Sequence, residues 1–199
     1  MSKCLSLFFL GFLIGLSIYS RPLLAQERVN ISGLSLENAQ GEKISFDTLT
    51  GKKLTVVVFT SSHCSWALQY QERLSGLFKR YQDKGVKFIA INSNDPSMSA
   101  RDSASRMQSI SAFPFPYLKD ADQQIARFFH ATKNPEALVL IPAEKQFEIA
   151  FRGQIDDNPL DTEMVKVPYL SNAIDSLLAG KKPAVVKGEL SGCDIKWIE

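Results

Sequence analysis

Cysteine is scarce in this chain: three residues in 199, at positions 4, 64 and 193, beside two histidines. With Cys64, His63 and His130 the supply of soft metal ligands is thin, so neither a copper site nor any other metal or cofactor is expected. An excess of charge is missing too. There are 23 basic and 21 acidic residues, and setting aside Lys3 and Arg21 at the N-terminus leaves 21 of each. A neutral chain gives no support to nucleic-acid binding. The longest apolar run, Leu5 to Tyr19, is about 15 residues, short of the ~20 that span a bilayer as a helix. Repeats and low-complexity linkers are absent, which leaves one domain, residues 26–199, with a tail at 181–199.

The N-terminus reads as an export signal. Lys3 supplies the positive start, the apolar run follows, and Leu23-Leu24-Ala25 offers cleavage after the small Ala25, although Leu23 is not small. Residues 1–25 are therefore expected to be removed; an uncleaved membrane anchor is the alternative. Export points to an oxidising compartment, most simply the bacterial periplasm. Loss of Cys4 leaves Cys64 and Cys193, and an even count in an exported chain is the arithmetic of a disulfide.

The patterning is α/β. Ile31 to Phe46 reads as a small hairpin turning at Asn38 to Lys43. Leu54 to Phe59 is an apolar run without alternation, hence a strand buried on both faces. A helix with Tyr70, Leu74, Leu77, Phe78 and Tyr81 on one face follows, ending at Gly85, and Val86 to Ile91 is a second buried strand. Strand, helix, strand with short joints makes a βαβ unit with parallel strands. Beyond it the sequence predicts a helix over Met98–Ile110 and an extended FPFPYLKD. A short helix over Ala121–Phe129 comes next. Strands Ala137–Ile141 and Phe147–Phe151 flank a turn at Pro142–Lys145, and a last helix covers Tyr169–Ala179.

Within VVVFTSSHCSW, Cys64 falls where the first strand gives way to the helix. Ligands of such sheets sit at the carboxyl ends of the strands. Free amide N–H groups of a first helical turn favour negative charge, so a thiolate is stabilised there and the thiol is acidified. A second cysteine three positions on would make a dithiol motif, but Ala67 stands there. Ser61, Ser62 and Ser65 can cap the turn or bond the sulfur. His63 could add charge, and Trp66 could shield the site or present a flat surface. Pro135 precedes a strand, and Arg152 follows one, either in the site or merely solvated or salt-bridged.

HCSWALQYQERL, GVKFIAINSND, FPFPYLKD, NPEALVL, FRGQIDD and GCDIKW together resemble the peroxiredoxin-like branch of the redoxin superfamily, the alkyl hydroperoxide reductase and thiol-specific antioxidant relatives. The resemblance spans about residues 28–197 and implies a thioredoxin-like fold with helices on both faces of a mixed sheet. It also implies a cis Asn134–Pro135 bond. Departures are clear: Ser65 replaces the usual proline after the cysteine, and Ser61 stands where another cysteine is frequent. Val57 stands where true peroxiredoxins carry a proline seven residues before the peroxidatic cysteine. Cys64 aligns with the first cysteine of a thioredoxin pair.

Three functions follow. A thiol–disulfide oxidoreductase would use Cys64 as nucleophile and Cys193, in the tail after Gly192, as resolving partner. A two-cysteine thiol peroxidase would use the same pair on a hydroperoxide. A non-catalytic binding module would keep only the fold. The expected partners are a protein or small-molecule disulfide, or a hydroperoxide, together with a thiol reductant. A permanent structural disulfide between Cys64 and Cys193 is the alternative to a working pair.

Overall fold

The run LTVVVF, Leu54–Phe59, forms a strand buried along its whole length, and the fold is built outward from it. A computed structural model describes residues 28–143, 146–184 and 190–199. The expected signal segment, and Glu144 and Lys145 of the expected turn, lie outside the described residues.

The strands are Arg28–Val29 (β1), Ser35–Glu37 (β2), Lys43–Ser45 (β3), Leu54–Phe59 (β4), Val86–Asn92 (β5) and Tyr117–Lys119 (β6). Lys133–Asn134 (β7), Glu136–Ala143 (β8), Gln146–Gly153 (β9) and Cys193–Asp194 (β10) complete them. Eight make one sheet in the order β1-β9-β8-β4-β5-β6-β2-β3, and β7 pairs with β10 separately. β4 runs parallel to β5 and antiparallel to β8, so the sheet is mixed. The α-helices are Ser65–Gln69 (α1), Gln71–Tyr81 (α2), Ala104–Ile110 (α3), Gln124–Phe128 (α4) and Tyr169–Leu178 (α5).

Alternation along β4 sends its side chains into two cores. Val56 and Val58 pack with Leu74, Tyr81, Phe88, Leu170 and Ile174 on the face covered by α2 and α5. Val57 and Phe59 pack with Phe46, Ile89, Ile125 and Phe129 on the face covered by α4. Each fully buried aliphatic or aromatic side chain contributes about 1.5–3 kcal/mol, which is why an uninterrupted apolar run holds the centre. Sheet and helices together give a thioredoxin-like α/β fold.

Several elements differ from the sequence pattern. The helix after Cys64 is broken at Tyr70, whose N–H bonds back to the Ala67 carbonyl at 3.2 Å in a tighter turn. The helix expected from Met98 begins only at Ala104. Before it, Ser99 caps the N–H of Arg101 and Ser103 Oγ bonds the Ala100 carbonyl, so local serine bonds hold Ala100–Asp102 as a 3-10 turn. α4 starts at Gln124 rather than Ala121, because Gln123 is left-handed, φ 59°, and the buried Asp120 carboxylate accepts from Ile125 N and Ala126 N. β1 and the β7–β10 pair have no counterpart in the sequence reading.

Candidate redox site

Cys64 is the residue that precedes α1, at the carboxyl end of β4, and it is 2% exposed. Its sulfur is bonded to Cys193, with 6.0 Å between the Cα atoms across a sequence separation of 129. Cys193 is half-buried. The tail is therefore tied down at Cys193 and Asp194 rather than loose there. β10 pairs antiparallel with β7, with Cys193 opposite Asn134 and Asp194 opposite Lys133. Gly192, φ +142°, is what permits this approach: a Cβ there would stand 2.4 Å from the Asn134 carbonyl oxygen.

The Asn134–Pro135 peptide is cis. It turns the Asn134 carbonyl toward the bridge, where its oxygen lies 3.2 Å from Cys64 Sγ. The oxidised sulfur has no proton to donate; a Cys64 thiol would have one.

Beneath Cys64 lies a buried polar network. Ser61 Oγ accepts from the Cys64 and His63 N–H groups at 3.2 and 3.0 Å, so Ser61 caps the turn and does not bond the sulfur. Ser61 donates to Asp102 Oδ1 at 3.0 Å, and Ser62 N donates to the same oxygen at 2.9 Å. Asn92 Nδ2 and Asn94 Nδ2 also donate to Asp102, at 2.8 and 3.1 Å. The Ser62 hydroxyl pairs with the Tyr117 hydroxyl at 3.0 Å. Burial raises the Tyr117 pKa above the usual phenol value, against the lowering pull of its bonds from Ser62 and Asn92. Lys119 is buried beside Asn92 and the Asn94 carbonyl. Burial pushes its pKa down to about 8, partly opposed by Asp102 and Asp120.

The remaining sequence candidates are placed less centrally. His63 and Trp66 are exposed, the latter at 37%. Arg152 bonds the buried Glu136 carboxylate at 2.6 Å and the Phe129 carbonyl, so it is a salt-bridged arginine beside the Pro135 turn, not a contact of the sulfur. Among the described residues no group of three or more His, Cys, Asp or Glu side chains is placed to hold a metal ion. Sequence reasoning missed Asp102, Asn92, Asn94, Tyr117, Lys119 and Gln123. Asn92 and Asn94 carry a signal, since polar residues at the end of a buried strand mark the crevice. Asp102 has none, because it reaches the site from a separate turn.

A thioredoxin-like sheet with a cysteine between strand and helix, a cis proline beside it and a second cysteine bonded to it defines a thioredoxin-fold protein with a disulfide at the strand–helix junction. The chain belongs to the AhpC/TSA family, whose model matches residues 30–157. Family membership points to oxidoreductase chemistry. A hypothetical protein of Sinorhizobium meliloti is similar at 26% identity and TM-score 0.74, covering 85% of this chain and 93% of that one. An uncharacterized conserved protein of Geobacillus kaustophilus is similar at 28% identity and TM-score 0.73, covering 88% and 98%. A putative thiol:disulfide interchange protein DsbE of Chlorobium tepidum shares the fold at 12% identity and TM-score 0.53, covering 76% and 94%. Among curated proteins no match to this chain was found.

Proposed function

We propose that this protein is a thiol–disulfide oxidoreductase in which Cys64 is the nucleophile and Cys193 the resolving cysteine. The observation that carries the reading is the Cys64–Cys193 bond at the strand–helix junction beside cis Pro135. In the reduced protein the Cys64 thiolate sits before the amide groups of α1, which favour its charge. It attacks one sulfur of a substrate disulfide, forms a mixed disulfide and expels the other sulfur as a thiolate. The Cys193 thiolate then attacks the Cys64 sulfur, releases the second substrate thiolate and closes the Cys64–Cys193 bond. Two electrons pass to the substrate, and a thiol reductant restores the pair. Ser61 and Asp102 support the turn that carries Cys64; Asn134 and Pro135 shape its far wall.

Family membership favours a second reading, a two-cysteine thiol peroxidase. There Cys64 thiolate would take one oxygen from a hydroperoxide, leaving an alcohol and a sulfenic acid. Cys193 would condense with that acid, releasing water. The apolar run of residues 5–19, read as an export signal, supports a periplasmic location, with residues 26–199 as one domain. No helix among the described residues is long and apolar enough to cross a membrane.

Turnover of a protein disulfide and of a hydroperoxide, each with wild type and Cys64→Ser, tests both readings. Disulfide turnover lost in Cys64→Ser supports the first. Hydroperoxide turnover lost in its place supports the second. A bridge that millimolar dithiol leaves intact, with no turnover of either, would sink both and leave a structural staple.

A further inference from the structure

The tail beyond Cys193 is held by contacts that do not pass through the sulfur bridge. Ile195 is 2% exposed within the core on the α4 face, and its N–H donates to the Thr132 carbonyl at 2.9 Å. The Lys196 carbonyl accepts from Asp95 N at 2.8 Å and Gln123 Nε2 at 2.7 Å. Ile198 N donates to Gln123 Oε1 at 2.9 Å. Opening the S–S bond breaks none of these.

Asn94 joins this seat to the Cys64 side. The residue is 3% exposed, and every hydrogen-bonding position of its carboxamide is used. Its nitrogen donates to Ser61 Oγ at 3.0 Å and Asp102 Oδ2 at 3.1 Å, and Ser61 Oγ in turn holds the Cys64 N–H. Its oxygen accepts from Lys196 N and Asn134 Nδ2, both at 3.0 Å. A carboxylate here would lose both donors and face the Asp102 carboxylate. An alkyl group would lose all four bonds. Lys196 lies three positions after Cys193, so a bond fixing its N–H also fixes where the second sulfur can be.

We propose that Asn94 is the positioning residue of the redox pair, keeping Cys193 seated opposite Cys64 while the disulfide is open. The inference rests on the reading of that pair as reversible. Closure then behaves as a local reaction between two pre-placed thiols, at high effective concentration, although the cysteines are far apart in sequence. A tail free to wander would instead carry the entropic cost of a search.

Amide hydrogen exchange on the fully reduced wild type tests the seat directly. The Ile195 and Lys196 amides are expected to stay protected when the disulfide is opened. The equilibrium of the pair with glutathione tests the residue: Asn94→Ala, which removes the acceptor for the Lys196 N–H, and Asn94→Asp, which sets a second carboxylate against Asp102, should each lower the effective concentration of Cys193 by roughly tenfold, the effect of about one net buried hydrogen bond. Free exchange at both amides in the reduced protein, with β4 still protected, would overturn the proposal. So would a wild-type glutathione equilibrium in Asn94→Ala. Should that variant not fold, the same equilibrium in Asn94→Asp decides, and a wild-type value there would equally overturn the proposal. If the bridge resists reduction altogether, the reversible-pair reading fails on its own. Cys193→Ser then reports on the seat, through retained or lost protection at the same two amides.

Discussion

Asn134 and Cys193 lie directly opposite each other in an antiparallel register, and the Asn134 carbonyl oxygen stands 3.2 Å from the Cys64 sulfur. One residue thus lines both halves of the bridge, and the fit leaves no room for a side chain at Gly192. In Gly192→Ala the added methyl meets the Asn134 carbonyl oxygen at 2.4 Å in a backbone conformation that L side chains rarely adopt. The strand pair should shift, at a cost of about 1–3 kcal/mol. Thiol counting in a glutathione buffer that leaves the wild type oxidised should find free cysteine in the variant; full oxidation would contradict the packing.

The bridge itself also stabilises. It joins residues separated by 129 positions. Linkages of this kind contribute about 2–4 kcal/mol, chiefly by restricting the unfolded chain. Reduction, or Cys193→Ser, should therefore lower the urea midpoint by a matching amount without changing the circular dichroism of the native protein. An unchanged midpoint would show that the unfolded chain is not restrained by the link.

Asp102 is 1% exposed and accepts hydrogen bonds from Ser61, Ser62, Asn92 and Asn94. Asp102→Ala leaves those buried donors unpaired, and a loss of about 3 kcal/mol or more is expected. Because Ser61 caps the turn bearing Cys64, the alkylation rate of reduced Cys64 should change as well. Asp102→Asn keeps the shape but replaces an acceptor oxygen with a donor, and should recover only part of the stability. Chemical denaturation of the three proteins ranks them; equal stabilities would contradict the network.

Lys119 sets a pH dependence whose sign is fixed. Burial holds its folded pKa near 8, below the ordinary lysine value of 10.5. Between those values the unfolded chain binds more protons than the folded one, so this group makes stability rise as pH rises from about 8 toward 10.5. Below pH 8 the cost of the buried charge is fully present. Denaturation of wild type and Lys119→Met across pH 7 to about 10 should show a rise in the first and a flatter profile in the second. Parallel profiles would rule the lysine out as the source.

The centre of this fold was readable because it is local. LTVVVF and VKFIAI are apolar runs bounded by polar residues, and β4 and β5 fall on them. The helix after Cys64 was readable from its spacing of Tyr70, Leu74 and Tyr81, but its break at Tyr70 was not. Tyr70 still packs with Leu74 and Tyr81, and its hydroxyl bonds Asp156, 86 positions on, a partner that spacing does not reveal. The same limit governs the site. Cys64 and Pro135 announce themselves by their place beside strands, whereas Asp102 and Ile195 act through partners brought near only by the finished sheet. Residues 193–198 looked irregular because their order comes from Gln123, Asn94 and Thr132, not from any periodicity of their own.

The long interval between the two cysteines also bears on how the protein matures. Cys64 emerges during synthesis well before Cys193, and the stretch between them supplies β5, β6, β8 and β9. In the folded protein the two sulfurs meet because the sheet places the crevice at Cys64 beside the β7–β10 pair that carries Cys193. A chain cut short between β9 and position 193 would carry Cys64 and most of the sheet but lack the second sulfur of the site, so only a chain that reaches Cys193 can close this link.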